Sequence, residues 1–303
     1  MTDGEAPAPA APAAPTGSRA AALAALVLGA CAIGFAPIFV RMTETGPAAA
    51  GFWRLFLALP LLALLMMRDG KGVATPPGRM MLLAGVLFAL DLSFWHYGVK
   101  LTSVANATVL TNLSPVVVTV AAWFLFRERP AKIFVAGLAL ALAGAATMAM
   151  AADHGQAINA PLGDALSLAT AVWYALYFIA MRSARQGAGA SRAMFWSTLV
   201  SAPILLAVAF AFGERILPGS GAGWAACVGL AVVHVAGQGS IAWALGRLPA
   251  SIASVVVLAQ PVVAAVAGWI LFSEALTPLQ IAGGVLTLAG VVIAQRAKVQ
   301  KAD

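Results

Sequence analysis

The chemistry open to this chain resides in a few polar and aromatic side chains set into long apolar runs. In the stretch FALDLSFWHYGVK, Asp91 and Trp95 stand one turn apart, with His96 on the neighbouring face. A carboxylate in such a run is costly, so it needs a counter-charge, a proton or a ligand. Arg54, in GFWRLFLALP, is the cation at a matching depth. Two readings follow: an Arg54 to Asp91 ion pair, or an amine-anchoring or protonation site at Asp91 able to couple proton movement to binding. His96 is a cavity residue, a proton relay or a packed histidine.

Thr108, Thr111, Asn112 and Pro115 recur at i, i+3, i+4 and i+7, which puts three hydrogen-bonding groups and a helix breaker on one helix face. Proline frees a carbonyl one turn earlier, near Thr111, where a cavity can use it as an acceptor. The alternative is an interhelical contact with a packing kink. Gln260 and Pro261 hold the matching place later in the chain. Trp173, Tyr174 and Tyr177 lie at i, i+1 and i+4, with Trp173 too deep for an interfacial belt, so these rings are placed to stack on an apolar or aromatic solute. His234 and Gln238 are one turn apart and either bond each other or, for Gln238 between two glycines, face a cavity. Such groups bind a neutral or zwitterionic solute with an apolar part. They do not form a catalytic set: GxSG, HExxH and paired-aspartate motifs are absent, as is a P-loop. Cys31 and Cys227 have no metal spacing, and no metal or cofactor is expected.

The elements that must position these residues follow from composition. With 303 residues, 62% apolar and 10% charged, the chain cannot hide its apolar surface in one soluble core, and lipid must be its solvent. Charge, Pro and Gly clusters cut it into ten apolar segments, near 18–41, 47–67, 79–99, 104–126, 131–151, 161–182, 191–212, 222–245, 250–272 and 276–296. Only helices satisfy the backbone over such lengths, which predicts an all-α integral membrane protein. The first 17 residues, an Ala/Pro tract without a basic n-region, read as a disordered cytoplasmic tail.

Orientation follows from the basic loops. Fourteen of the 18 Lys and Arg fall on the side of the N-terminus, against Arg41, Lys100 and Arg215 opposite and Arg54 within a segment. Both termini are therefore expected in the cytoplasm. This topology also accounts for the net charge of +7, so no nucleic-acid partner is expected; the partners are a small-molecule substrate and membrane lipid, with monomer and dimer both open.

SPVVVTVAAWFLFRE, residues 114–128, returns as QPVVAAVAGWILFSE, residues 260–274. A shift of 146 residues aligns Pro115 with Pro261, Trp123 with Trp269, Glu128 with Glu274, Gly137 with Gly283 and Gly144 with Gly290; a shift of 143 pairs Phe52, Trp53 and Pro60 with Phe195, Trp196 and Pro203. The duplicated unit is five helices long, covering 18–151 and 161–296. Five being odd, the second copy enters the membrane from the other side, a design suited to alternating access about a central site. Glu128 and Glu274 are expected to cap the helices that follow them. The glycines at 137, 144, 283, 284 and 290 are expected to form close packing faces.

These paired segments, followed by GLALALAG and GGVLTLAG, resemble the EamA-type members of the drug/metabolite transporter superfamily over nearly everything after the tail. Within that superfamily the nearest likeness is to the YddG-type exporters of aromatic and other neutral amino acids. The resemblance implies a multi-pass protein of the plasma (bacterial inner) membrane that exports such amino acids. Without a P-loop the mechanism is expected to be secondary or facilitative, and the spacing and depth of Trp173, Tyr174, Tyr177, His96, Asn112, Thr108, Gln238, Gln260, Pro115 and Pro261 make them the residues expected around the substrate. Export of other lipophilic drugs or metabolites is the alternative. Apart from Arg54 no cation lies deep in a segment, which argues against phosphorylated cargo.

Overall fold

The computed structural model describes residues 16–68, 75–102, 104–151, 158–272, 276–297 and 300–301. The tail before residue 16 and Glu274 lie outside these residues, as does the side chain of Glu128. Ten helices among the described residues are long and apolar enough to cross a bilayer: Arg19–Val40, Pro47–Arg68, Arg79–Gly98, Ala107–Phe126, Lys132–Met150, Ala160–Gly187, Ala190–Ala211, Gly221–Leu245, Ala250–Leu271 and Pro278–Arg296, here spans 1 to 10. They match the ten apolar segments of the sequence. A short antiparallel pairing joins Glu128 and Arg129 to Lys301 and Gln300.

Spans 5 and 10, the last of each half, pack on one another along a seam of duplicated glycines. A methyl group added to Gly137 would stand 2.6 Å from the Ala294 nitrogen, and one added to Gly283 would stand 2.7 Å from the Gly144 oxygen. Lipid tails are as apolar as leucine, so helices in a membrane associate through such close backbone contact rather than through the hydrophobic effect. Gly284, expected in the same seam, stands outside it: a methyl group there would come no nearer than 3.5 Å to its closest neighbour, the Met148 sulfur. Span 10 starts on a capping box in which Thr277 accepts from the Gln280 nitrogen while the Gln280 side chain accepts from the Thr277 nitrogen.

Several spans are interrupted where the sequence has proline. Span 4 breaks at Asn112 and Leu113, so that a new helix starts at Ser114 with Pro115 in its first turn; span 9 breaks at Leu258 and Ala259, and its second piece starts Gln260–Pro261. Proline has no N–H to donate and clashes with the preceding turn, whereas the first turn of a helix tolerates it. Span 2 is likewise split before Pro60, yet span 7 runs unbroken through the aligned Pro203. Span 8 contains a feature with no proline: a π-helical turn over His234–Gln238.

Candidate functional site

At mid-depth the bundle holds two polar regions. The first gathers side chains from spans 2, 3, 6, 7 and 8. Tyr177, 1% exposed, receives a hydrogen bond at its hydroxyl from Gln238 Nε2 at 2.9 Å. Phe88 stacks on Tyr177 with ring centroids 4.8 Å apart and on His234 at 5.7 Å. His234 Nε2 and the Thr198 hydroxyl are 2.9 Å apart. The two residues expected to bond each other, His234 and Gln238, therefore each bond a different span. The π-helical turn begins at one and ends at the other, and such turns displace successive side chains from ordinary α-helical register.

Arg54 and Asp91 belong to this region. They are 8% and 7% exposed, Arg54 Cζ stands 5.9 Å from the centre of the Phe88 ring, and each feels the charge of the other. Tyr174, Tyr177 and His234 lie within the same electrostatic neighbourhood. Arg54 Nε is sealed without a hydrogen-bond partner, as is His234 Nδ1.

The second region is formed where spans 4 and 9 break. Below the breaks the two spans meet: Ser114–Phe126 packs on Ala250–Val257. Above them they take different neighbours, Val104–Thr111 lying against spans 5 and 6 and Gln260–Phe272 against span 1. Residues 250–259 are all buried, whereas residues 108–113 and 260–265 are half-buried. On the orientation given by the basic loops, the two spans meet in their cytoplasmic halves and part in their outer halves. Thr111 Oγ1, Asn112 Nδ2, Gln260 Nε2 and the Trp173 indole nitrogen make no hydrogen bond. Each is a donor left for something else, because a buried donor without a partner is destabilising. Trp173 meets Phe94 edge to face at 5.8 Å. Pro115 is buried beneath, with its carbonyl accepting from the Thr119 hydroxyl at 2.6 Å, and Pro261 is half-buried opposite.

The sequence-predicted residues are thus divided. Thr108, Thr111, Asn112, Pro115, Gln260 and Pro261 belong to the two broken spans. Arg54, Asp91, Tyr174, Tyr177 and Gln238 belong to the first region. His96 packs on Trp95, with ring centroids 4.9 Å apart, and its ring lies 3.7 Å from where a methyl group on Gly51 would be. Sequence reasoning does not single out Phe88 or Thr198. The available signals are a hydroxyl inside an apolar run for Thr198 and, for Phe88, a place three residues before Asp91 on the same helix face.

Outside the spans, a clasp joins the 1–2 and 7–8 loops on the outer face. Glu214 accepts from the Ala48 and Ala49 nitrogens at 3.3 and 2.9 Å, capping span 2, and from the Tyr97 hydroxyl at 2.6 Å. Trp53 Nε1 donates to the Ile216 carbonyl at 2.7 Å. Glu44 accepts from the Ser220 hydroxyl at 2.8 Å and the Gly219 nitrogen at 2.9 Å; the Ser220 bond above all holds its carboxyl below the usual range. At the cytoplasmic end, Arg182 lies 4.3 Å over the Phe126 ring, joining span 6 to span 4. A cavity of about 560 Å³ at the cytoplasmic ends of spans 3, 6 and 7, beside Arg79 and Arg192, is separate from both polar regions. Among the described residues no three His, Cys, Asp or Glu side chains are grouped as a metal site.

The profile of the EamA-like transporter family matches residues 20–150 and 161–295. An uncharacterized transporter of Archaeoglobus fulgidus is 28% identical over 275 residues, covering 90% of this chain and 96% of that protein. The pseudopaline exporter CntI of Pseudomonas aeruginosa is 26% identical over 258 residues, 84% of this chain and 89% of its own. The "Probable terminal-alkyne amino-acid exporter" of Streptantibioticus cattleyicolor is 27% identical over 267 residues, 85% and 87% of the two chains. A solved crystal structure has the same fold, with a TM-score of 0.77 over 92% of this chain and 96% of its own at 19% identity.

Proposed function

The chain belongs to the EamA-like transporter family, and from this premise we propose that it exports neutral amino acids with aromatic or other apolar side chains across a bacterial plasma membrane. The mechanism is alternating access, secondary or facilitative, with both chain ends in the cytoplasm. One observation carries the reading: neutral donors at the breaks of spans 4 and 9, namely Thr111, Asn112 and Gln260, have no protein partner, and Trp173 at mid-depth adds an aromatic face and a further free donor. Such a lining suits a solute that is apolar on one side and polar on the other. Inverted halves give the motion, since each can adopt the other's shape about a central site. The amino-acid exporter among its relatives adds support.

The test is flux of labelled phenylalanine, tryptophan, threonine, methionine and glutamate into and out of proteoliposomes, with and without a pH gradient, for wild type and Trp173→Ala. Saturable flux of the neutral amino acids, weak for glutamate and reduced by Trp173→Ala, is the expected result. Folded protein that moves none of them sinks the assignment. A second reading, export of other lipophilic drugs or metabolites, draws on the pseudopaline exporter among the relatives; protection of cells against apolar toxins, with a flat amino-acid response, would select it.

A further inference from the structure

The region around Arg54 has a feature that packing alone does not require. Arg54 and Asp91 sense each other's charge from inside the bundle, yet no hydrogen bond or direct ion pair joins them. Arg54 Nε is sealed away without a hydrogen-bond partner, and both residues are more than nine-tenths buried, at 8% and 7% exposed. A cation and an anion, both buried in a low-dielectric interior and not joined to each other directly, form a site for the opposite arrangement of charges.

We propose that this pair holds the charged head of a zwitterionic substrate, the carboxylate on Arg54 and the ammonium on Asp91. This rests on the amino-acid reading above and assigns the residues that enforce it. The surroundings fit the role. Phe88, Tyr174 and Tyr177 wall the pair, and His234 stands beside it with the two tyrosines as the further titratable groups. The way in is set by two helices. Phe94 follows Asp91 by three residues on span 3, toward the outer face, and Trp173 precedes Tyr174 on span 6, also toward the outer face; the two rings meet at 5.8 Å. The apolar part of the substrate thus rests at Phe94 and Trp173, one turn outward of the charges. Charge-assisted hydrogen bonds are the strong ones, so each half of the head group is worth about tenfold or more in apparent affinity. A ligand lacking either charge leaves its partner uncompensated and binds worse still.

The experiment measures inhibition of labelled phenylalanine flux by unlabelled phenylalanine, phenethylamine and 3-phenylpropanoate in proteoliposomes. It compares wild type, Arg54→Lys, Arg54→Gln and Asp91→Asn, each first shown to elute as a single folded species. Wild type is expected to favour phenylalanine over both single-charge ligands by about tenfold or more. Arg54→Gln weakens phenylalanine and 3-phenylpropanoate but not phenethylamine; Asp91→Asn weakens phenylalanine and phenethylamine but not 3-phenylpropanoate; Arg54→Lys recovers part of the preference. Variants that weaken all three ligands equally, or keep the wild-type order, overturn the proposal while the amino-acid reading stands. The same holds if Asp91→Asn changes only the response to a pH gradient, which makes Asp91 a proton-coupling residue. Absence of phenylalanine flux in folded wild type overturns the amino-acid reading and this assignment with it.

Discussion

The two polar regions of the bundle lie at similar depth and are built from the same kinds of residue, but they differ in how their hydrogen bonds are disposed. Around Tyr177 most of the groups serve one another, Gln238 with Tyr177, His234 Nε2 with Thr198, and Phe88 stacked between two rings, although Arg54 Nε and His234 Nδ1 stay unpartnered. At the broken spans they do not, and Thr111, Asn112, Gln260 and Trp173 each keep a free donor. A membrane interior penalises unpaired polar groups, so the first arrangement is what stability favours and the second persists where a ligand or water completes it. The difference separates residues that bond one another across spans from residues whose donors find no partner within the protein. Arg54 and Asp91 stand at the border, inside the first region and buried, with Arg54 Nε left without a partner.

The largest effect that sharpens this contrast is on stability. Asp91→Leu strands the Arg54 charge in the interior and is expected to cost about 3–5 kcal/mol, read as a large fall in melting temperature in detergent. Asn112→Leu, by contrast, is expected to leave stability within about 0.5 kcal/mol while reducing flux by about tenfold. Equal loss of melting temperature in the two variants would erase the distinction. Next in size is the Tyr177 and Gln238 bond: a double-mutant cycle of Tyr177→Phe and Gln238→Leu should return a coupling of about 1 kcal/mol, and the cycle of Trp173→Phe with Gln260→Leu none beyond about 0.3 kcal/mol. The smallest effect lies far from both regions, in the outer clasp. The carboxyl of Glu44 is lowered in the folded protein, so its contribution is present above the ordinary carboxylate value and lost as pH falls through the lowered one. Proteolysis of the outer 7–8 loop at decreasing pH should therefore show no release until the pH falls below the ordinary carboxylate value, and Glu44→Gln should remove this part of the pH dependence.

Much of the fold could be read directly from the chain. Lengths of apolar runs set the ten spans, and the duplicated SPVVV and QPVVA segments marked both broken spans, because proline acts locally on its own helix. The same rule applied to Pro60 and Pro203 does not predict their different fates. Span 2 is split and span 7 is continuous although the residues align, which shows that the neighbours of a helix decide whether a proline interrupts it. The glycine seam was legible as small faces, but not which face met which.

The site was legible in part. Trp173, Asn112 and Gln260 declared themselves as polar or amphipathic groups at the wrong depth for an interface. His96 declared itself equally, and its ring packs on Trp95 and beside Gly51. Helical periodicity tells which residues share a face but not the direction in which the face points, so Thr198 and Phe88 acquire their roles only when spans 3, 7 and 8 are brought together.

By itself, then, the sequence determined the solvent, the number of spans, the inverted duplication and the sidedness, because each depends on the sum of local transfer energies along one helix or loop. The tertiary structure decided which polar groups satisfy one another and which remain open. Hydrogen bonds and charges are short-range and directional, and residues from five spans must converge before a donor such as Gln238 finds Tyr177, or a donor such as Asn112 is left without a partner.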